Sequence, residues 1–93
     1  MREATLTLTN RVGLHARPAA VFVRTAKQYR SAIKVCVGTH EADAKSILSV
    51  LSLAANHGTQ ITLRATGDDE AGAVEELQKL VLSNFGEANG GTT

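Results

Sequence analysis

The chain predicts a single two-layer α/β domain, with helices packed on one face of a four-stranded sheet. Ninety-three residues make one domain, and no linker or internal repeat divides them. Short stretches that alternate apolar and polar residues interleave with stretches of helical spacing, in the order β-α-β-β-α-β-α. That order stacks helices on one side of a sheet. The polar alternates Thr5, Thr7, Lys34, Gln60, Thr62 and Arg64 then form the wetted face of an antiparallel sheet. Pattern alone does not separate this arrangement from other split βαβ folds.

Each element has its own reason. Ala4, Leu6 and Leu8 alternate with Glu3, Thr5, Thr7 and Thr9, a half-buried strand rich in β-branched threonine. Asn10 to Gly13 read as a loop. The period then changes: Ala19, Phe22, Val23 and Ala26 follow i, i+3, i+4, i+7 spacing, the core stripe of a helix. Its other face carries Arg17, Ala20, Arg24, Lys27 and Gln28, and Tyr29 to Ser31 close it. Ile33, Val35 and Val37 alternate with Ala32, Lys34 and Cys36, so the register sets Cys36 beside Lys34, away from the apolar set. After the turn Gly38-Thr39-His40, Glu41 to Ala44 are a candidate third strand, although alanine and aspartate are poor strand formers.

Ser46 is a natural N-cap for a helix from Ile47 to Ala55. Ile47, Val50, Leu51 and Ala54 make one stripe, and Leu48, Leu51 and Ala55 make a second that overlaps it. One face of such a helix must meet water, so some leucines should be exposed; the residues alone leave open whether they offer a partner surface or belong to a short helix buried on most sides. Asn56-His57-Gly58 should end the helix, with Gly58 left-handed and His57 at the negative helix pole. Ile61, Leu63 and Ala65 alternate with Gln60, Thr62, Arg64 and Thr66, another strand. Asp68, Asp69 and Glu70 place negative charge at the start of the last helix. There Ala73, Leu77, Leu80 and Val81 form the stripe, Val74 and Phe85 flank it, and Gly86 stops it. Residues 1–86 are read as the domain, and 87–93 as a flexible polar tail.

Bulk chemistry narrows the function. Net charge is +1 with no basic block, and one tyrosine and two phenylalanines are too few to stack bases, which argues against nucleic acid. The lone Cys36 forms no intrachain disulfide and suits a reducing cytosol. No signal peptide or membrane-spanning run is visible, so the expected location is cytoplasmic. His15, His40, His57 and Cys36 lack ligand spacing, and no glycine-rich nucleotide loop is present, so neither metal nor cofactor is expected.

The chemistry concentrates in Gly13-Leu14-His15-Ala16-Arg17-Pro18-Ala19-Ala20. His15 falls where a strand ends and a helix begins, and Pro18 suits a first helical turn. Unpaired N–H groups and partial positive charge at a helix start favour phosphate. Arg17 adds a full charge and a fork of donors. A neutral imidazole there is a nucleophile beside an anion site. The residues alone leave a second reading open, in which His15 is a cap and Arg17 is merely solvated.

This string resembles the active-site signature of the histidine-containing phosphocarrier (HPr) family of the phosphoenolpyruvate-dependent sugar phosphotransferase system. Lys45-Ser46-Ile47-Leu48-Ser49-Val50-Leu51-Ser52-Leu53 resembles that family's regulatory serine region, at matching spacing, and the likeness runs from about Thr5 to about Phe85. It implies an open-faced sandwich: four antiparallel strands with three helices on one face. It implies a carrier rather than an enzyme, with His15 as the phosphohistidine and Arg17 as its anion partner. Enzyme I would be the donor and enzyme IIA components the acceptors. Both would dock, on a monomer, at Ala20, Arg24, Lys27, Ile47, Leu48 and Leu51. Ser46 would be the target of an HPr kinase/phosphorylase where one exists, although Asp43 stands where the family usually has asparagine and Ser49 where glycine or lysine is common. A nitrogen-branch carrier is the nearest alternative, suggested by Ala65-Thr66-Gly67 and Asn84-Phe85-Gly86. A small-ligand-binding regulatory domain, with His15 as a cap, is the alternative of a different class.

Overall fold

The computed structural model describes residues 1–86, so the expected tail at 87–93 lies outside the described residues. The elements are β1 (Arg2–Thr7), α1 (Ala16–Ala26), β2 (Ala32–Val37), β3 (His40–Asp43), α2 (Ile47–Ser52), β4 (Gln60–Thr66) and α3 (Glu70–Leu82), followed by a 3₁₀ turn (Asn84–Gly86). The strands form one antiparallel sheet in the order β1-β4-β2-β3. This is the expected open-faced arrangement of four strands and three helices.

The core lies between sheet and helices. Leu8, Leu14, Phe22, Ile33, Ile61, Leu63 and Leu77 are fully buried there, each contributing about 2 kcal/mol by leaving water. The α1 stripe meets the core as its spacing demands, while Arg17, Ala20, Arg24, Lys27 and Gln28 stay exposed. Register places Cys36 on the polar face, opposite Glu41 and Thr62. It is nevertheless buried. Arg64 pairs with Glu3 on β1 at 2.6 Å and reaches across β2 to Glu41 on β3 at 3.4 Å, above that part of the face. Burial pushes the Cys36 thiol pKa up.

The structure corrects the chain reading where loops decide. The first strand stops at Thr7, although Leu8 stays tied to the turn before β4: Leu8 N–H donates to Thr59 C=O at 2.9 Å, and Leu8 C=O accepts from Gly58 N–H at 2.7 Å. The second helix ends at Ser52, three residues short of Ala55. Its last turn tightens through Leu53 N–H to Val50 C=O and Ala54 N–H to Leu51 C=O, and Ala54 turns left-handed at φ +50°. Gly58 (φ +87°) therefore serves the turn before β4 rather than a helix end, and His57 is simply exposed. Of Ile47, Val50, Leu51 and Ala54, only Val50 is fully buried; Ile47 and Ala54 are exposed.

The last helix also ends early, at Leu82 rather than at Gly86. Asn84 and Phe85 adopt φ +56° and +59°, which folds Phe85 back into the core. At the helix start Asp69 is the N-cap residue but makes no capping bond. Its carboxylate instead accepts from Arg30 N–H and Ser31 N–H, each at 2.9 Å, and from the Ser31 hydroxyl. Glu70 serves the helix start, accepting from Gly67 N–H at 3.1 Å and pairing with the Met1 ammonium at 3.0 Å.

Candidate functional site

Two loops meet at the end of the sheet where β1 finishes and β4 begins. Gly13 sits at φ +66°, and a Cβ there would collide with the Ala55 carbonyl oxygen and lie 2.6 Å from Asn56 Cα. Only glycine allows this approach. Leu14 N–H then donates to Ala55 C=O at 2.8 Å, and the Leu14 side chain is fully buried. Buried Asn10 donates from Nδ2 to Gly13 C=O at 2.9 Å, while its Oδ1 has no partner among the described residues. The loop before α1 is thus fixed to the chain leaving α2.

His15 emerges from this junction. It is the N-cap residue of α1, with extended backbone (φ −130°, ψ 159°), and its side chain makes no cap bond. The imidazole is half-exposed. Its Nε2 lies 2.8 Å from Asn56 Oδ1. An amide oxygen only accepts, so the contact is a hydrogen bond when Nε2 carries the ring proton. No hydrogen bond among the described residues engages Nδ1.

The helix start supplies the anion side. Ala16 and Arg17 N–H groups meet no acceptor among the described residues, and Pro18 has no N–H to offer. Such donors carry the positive pole of the helix. Arg17 is exposed and forms no ion pair among the described residues. Ala16 adopts φ +48°, a conformation that costs an L-residue about 1–2 kcal/mol. Strain of this kind persists where surrounding contacts impose it, commonly at working sites.

The remaining expected residues fall into two groups. Ala20, Val23 and Arg24 of α1, its C-cap residue Lys27 and Ile47 of α2 line one groove of about 290 Å³. Leu48 lies outside it and is 78% exposed, whereas Leu51 is half-buried and packs against the core. Ser46 caps α2, its Oγ accepting from Ser49 N–H at 3.3 Å. Nearby, Lys45 Nζ donates to Tyr29 C=O at 2.6 Å and ties this segment to the end of α1. A groove of about 330 Å³ between β1 and α3 contains none of these residues.

Sequence reasoning missed Asn56. It appears in the chain as a polar residue behind a helical stripe, and nothing local says that it turns back toward position 15. The αL turn at Ala54 and the glycine contact at position 13 bring it there.

Comparison with known proteins points the same way as the geometry. The family model described as "PTS HPr component phosphorylation site" matches residues 2–83. The phosphocarrier protein HPr of Xylella fastidiosa (strain Temecula1) is 41% identical over 87 residues, covering 94% of this chain and 98% of the relative. The crystal structure of HPr-C-His from Thermoanaerobacter tengcongensis superposes with a TM-score of 0.92 at 45% identity, covering 94% of this chain and 98% of that one. An HPr dimer from the same organism superposes at 0.76, again at 45% identity, covering 94% and 100%. A histidine at a helix mouth, a sheet open on one side and likeness along nearly the whole length have one common account: the chain belongs to the HPr family of phosphocarrier proteins.

Proposed function

We propose that His15 accepts a phosphoryl group from Enzyme I, itself charged by phosphoenolpyruvate, and passes it to sugar-specific enzyme IIA components for carbohydrate uptake. One observation carries this reading: a half-exposed imidazole whose Nδ1 makes no hydrogen bond among the described residues, at a helix start whose first N–H groups have no acceptor among them either. The Nδ1 pair forms a bond to phosphorus as the bond to the donor breaks, and the donor keeps that bond's electrons. Helix N–H groups and the Arg17 guanidinium balance the charge on the phosphoryl oxygens. Delivery to the acceptor runs the same step in reverse. A shallow, open site suits a carrier, because deep fixation would trap the group.

Arg24 and Lys27 would steer acidic partners, and Ile47, Leu48 and the accessible part of Leu51 would supply a dry contact beside Ala20. The lone buried thiol suits action in the cytoplasm. A phosphate on Ser46 would add roughly −2 charge between Leu48 and the basic face of α1, and weaken docking.

The test is mass spectrometry at neutral pH after incubation with Enzyme I and phosphoenolpyruvate. One phosphoryl group on His15 is the expected result. Labelling only by a nitrogen-branch Enzyme I would reassign the pathway, and no labelling by either would defeat the reading. Ser46→Asp should slow acceptance from Enzyme I about tenfold or more; an unchanged rate would remove the regulatory role.

A further inference from the structure

Asn56 lies outside the motif that marks the site, yet it makes the one side-chain hydrogen bond to the His15 ring among the described residues. We infer that Asn56 is a positioning residue for phosphoryl transfer: its amide oxygen holds the Nε2 proton of His15, so that Nδ1 is the nucleophile and the ring stays protonated at Nε2 while it carries the group. This inference rests on the assignment of His15 as the acceptor.

The contact is built by its surroundings. Asn56 N–H donates to Thr59 Oγ1 at 3.1 Å, and Asn56 C=O accepts from Thr59 N–H at 3.0 Å, so both backbone groups of Asn56 are held locally. The preceding carbonyl, Ala55 C=O, accepts from Leu14 N–H at 2.8 Å. Gly13 admits the backbone of residues 55 and 56 where no Cβ fits. The left-handed turn at Ala54 aims the segment at the helix mouth. The Asn56 amide therefore meets the ring from a fixed platform, and its oxygen has a clear partner in Nε2–H.

The chemistry requires such a group on both legs of the transfer. As Nδ1 bonds to phosphorus the ring becomes an imidazolium, with phosphorus on Nδ1 and hydrogen on Nε2. A carbonyl dipole directed at Nε2–H stabilises that positive charge. On release the N–P bond breaks, its electrons return to Nδ1, and neutral imidazole leaves with its Nε2 proton in place. Loss of that proton beforehand would make imidazolate the leaving group, which is much poorer. A carboxylate at position 56 would also accept from Nε2–H, whereas a methyl group would not.

The test compares wild type, Asn56→Ala and Asn56→Asp, each with ¹⁵N-labelled histidine. Ring tautomers are read by ¹H–¹⁵N NMR at alkaline pH, and transfer is followed with Enzyme I, phosphoenolpyruvate and a IIA acceptor. Wild type should show the Nε2–H tautomer at His15. Asn56→Ala should populate Nδ1–H and slow transfer about tenfold, the loss of one hydrogen bond to a charged ring. Asn56→Asp should restore the Nε2–H tautomer. An Nδ1–H tautomer in the wild type overturns the inference, and so does an Asn56→Ala protein with unchanged tautomer and rate. If Asn56→Ala does not fold, the wild-type and Asn56→Asp tautomers decide the matter. Absence of phosphoryl from wild-type His15 removes the carrier reading and this inference together, whereas normal phosphorylation with an indifferent position 56 removes this inference alone.

Discussion

Glycine permits close backbone approach at both ends of the sheet, and the two junctions are finished differently. At one end Gly67 (φ +152°) lies where a Cβ would come within 2.6 Å of Ser31 Oγ. The Asp69 carboxylate closes this junction by taking both Arg30 and Ser31 N–H groups and the Ser31 hydroxyl. At the other end Gly13 brings its loop against residues 55 and 56, but the polar account stays open. Among the described residues Asn10 Oδ1 is buried without a partner, Ala16 and Ala54 are left-handed, and the first N–H groups of α1 meet no acceptor. The Ser31 junction uses its hydrogen-bonding capacity for stability. The His15 junction leaves hydrogen-bonding groups without partners among the described residues and carries strain meanwhile.

Mutations can break this contrast. The largest effect is expected from His15→Ala, which should abolish phosphoryl carriage and leave Tm within about 2 °C, because a half-exposed side chain gives up little burial. Near-normal transfer would dissolve the distinction between the ends. Gly13→Ala should cost about 3 kcal/mol, through a Cβ pressed into the Ala55 carbonyl and an unfavourable φ, and should slow transfer as well. Denaturant melts combined with transfer rates would show whether both fall together.

Asp69→Asn sharpens the contrast from the other side. The Ser31 hydroxyl first, and then the Arg30 and Ser31 N–H groups, lower the Asp69 pKa to about 2. A carboxylate depressed in the folded state contributes stability that is complete above the ordinary carboxylate range and is lost as pH falls toward 2. Asp69→Asn should therefore lower Tm at pH 7 by roughly 5 °C, with transfer within twofold of wild type. Its stability should also fall less steeply than wild type between about pH 4 and pH 2. Parallel acid titrations of the two proteins would expose an error in that assignment. The smallest effect belongs to Ala54→Gly, which should relieve the φ +50° conformation for a gain of about 0.5 kcal/mol, part of the relief being offset by greater freedom of the unfolded chain. A loss of stability would show that Ala54 is not strained.

Legibility in the sequence followed the range of the interactions involved. The α1 stripe of Ala19, Phe22, Val23 and Ala26, the alternation in β2 and β4, and the Ser46 cap could be read because their causes lie within a few residues. The Gly13–Ala20 string pointed to the family and made His15 the candidate acceptor, since the signature is contiguous. The end of α2, the inward fold of Phe85 and the partner of Asp69 could not be read. Each depends on a group far along the chain: Leu14 for Ala55, the core for Phe85, Ser31 for Asp69.

By itself the sequence determined the layered architecture and the exposed basic face of the first helix, because periodicity and capping act over one or two turns, and its signature string made His15 the candidate acceptor. Only the tertiary structure decided what faces the His15 ring, since the contact to Nε2 comes from an amide 41 positions away along the chain. Local propensity favoured carrying the second helix on to Ala55. Docking that segment against Gly13 and Leu14 turned it instead, because the combined contacts of two closed loops outweigh the few tenths of a kcal/mol that each further helical residue offers.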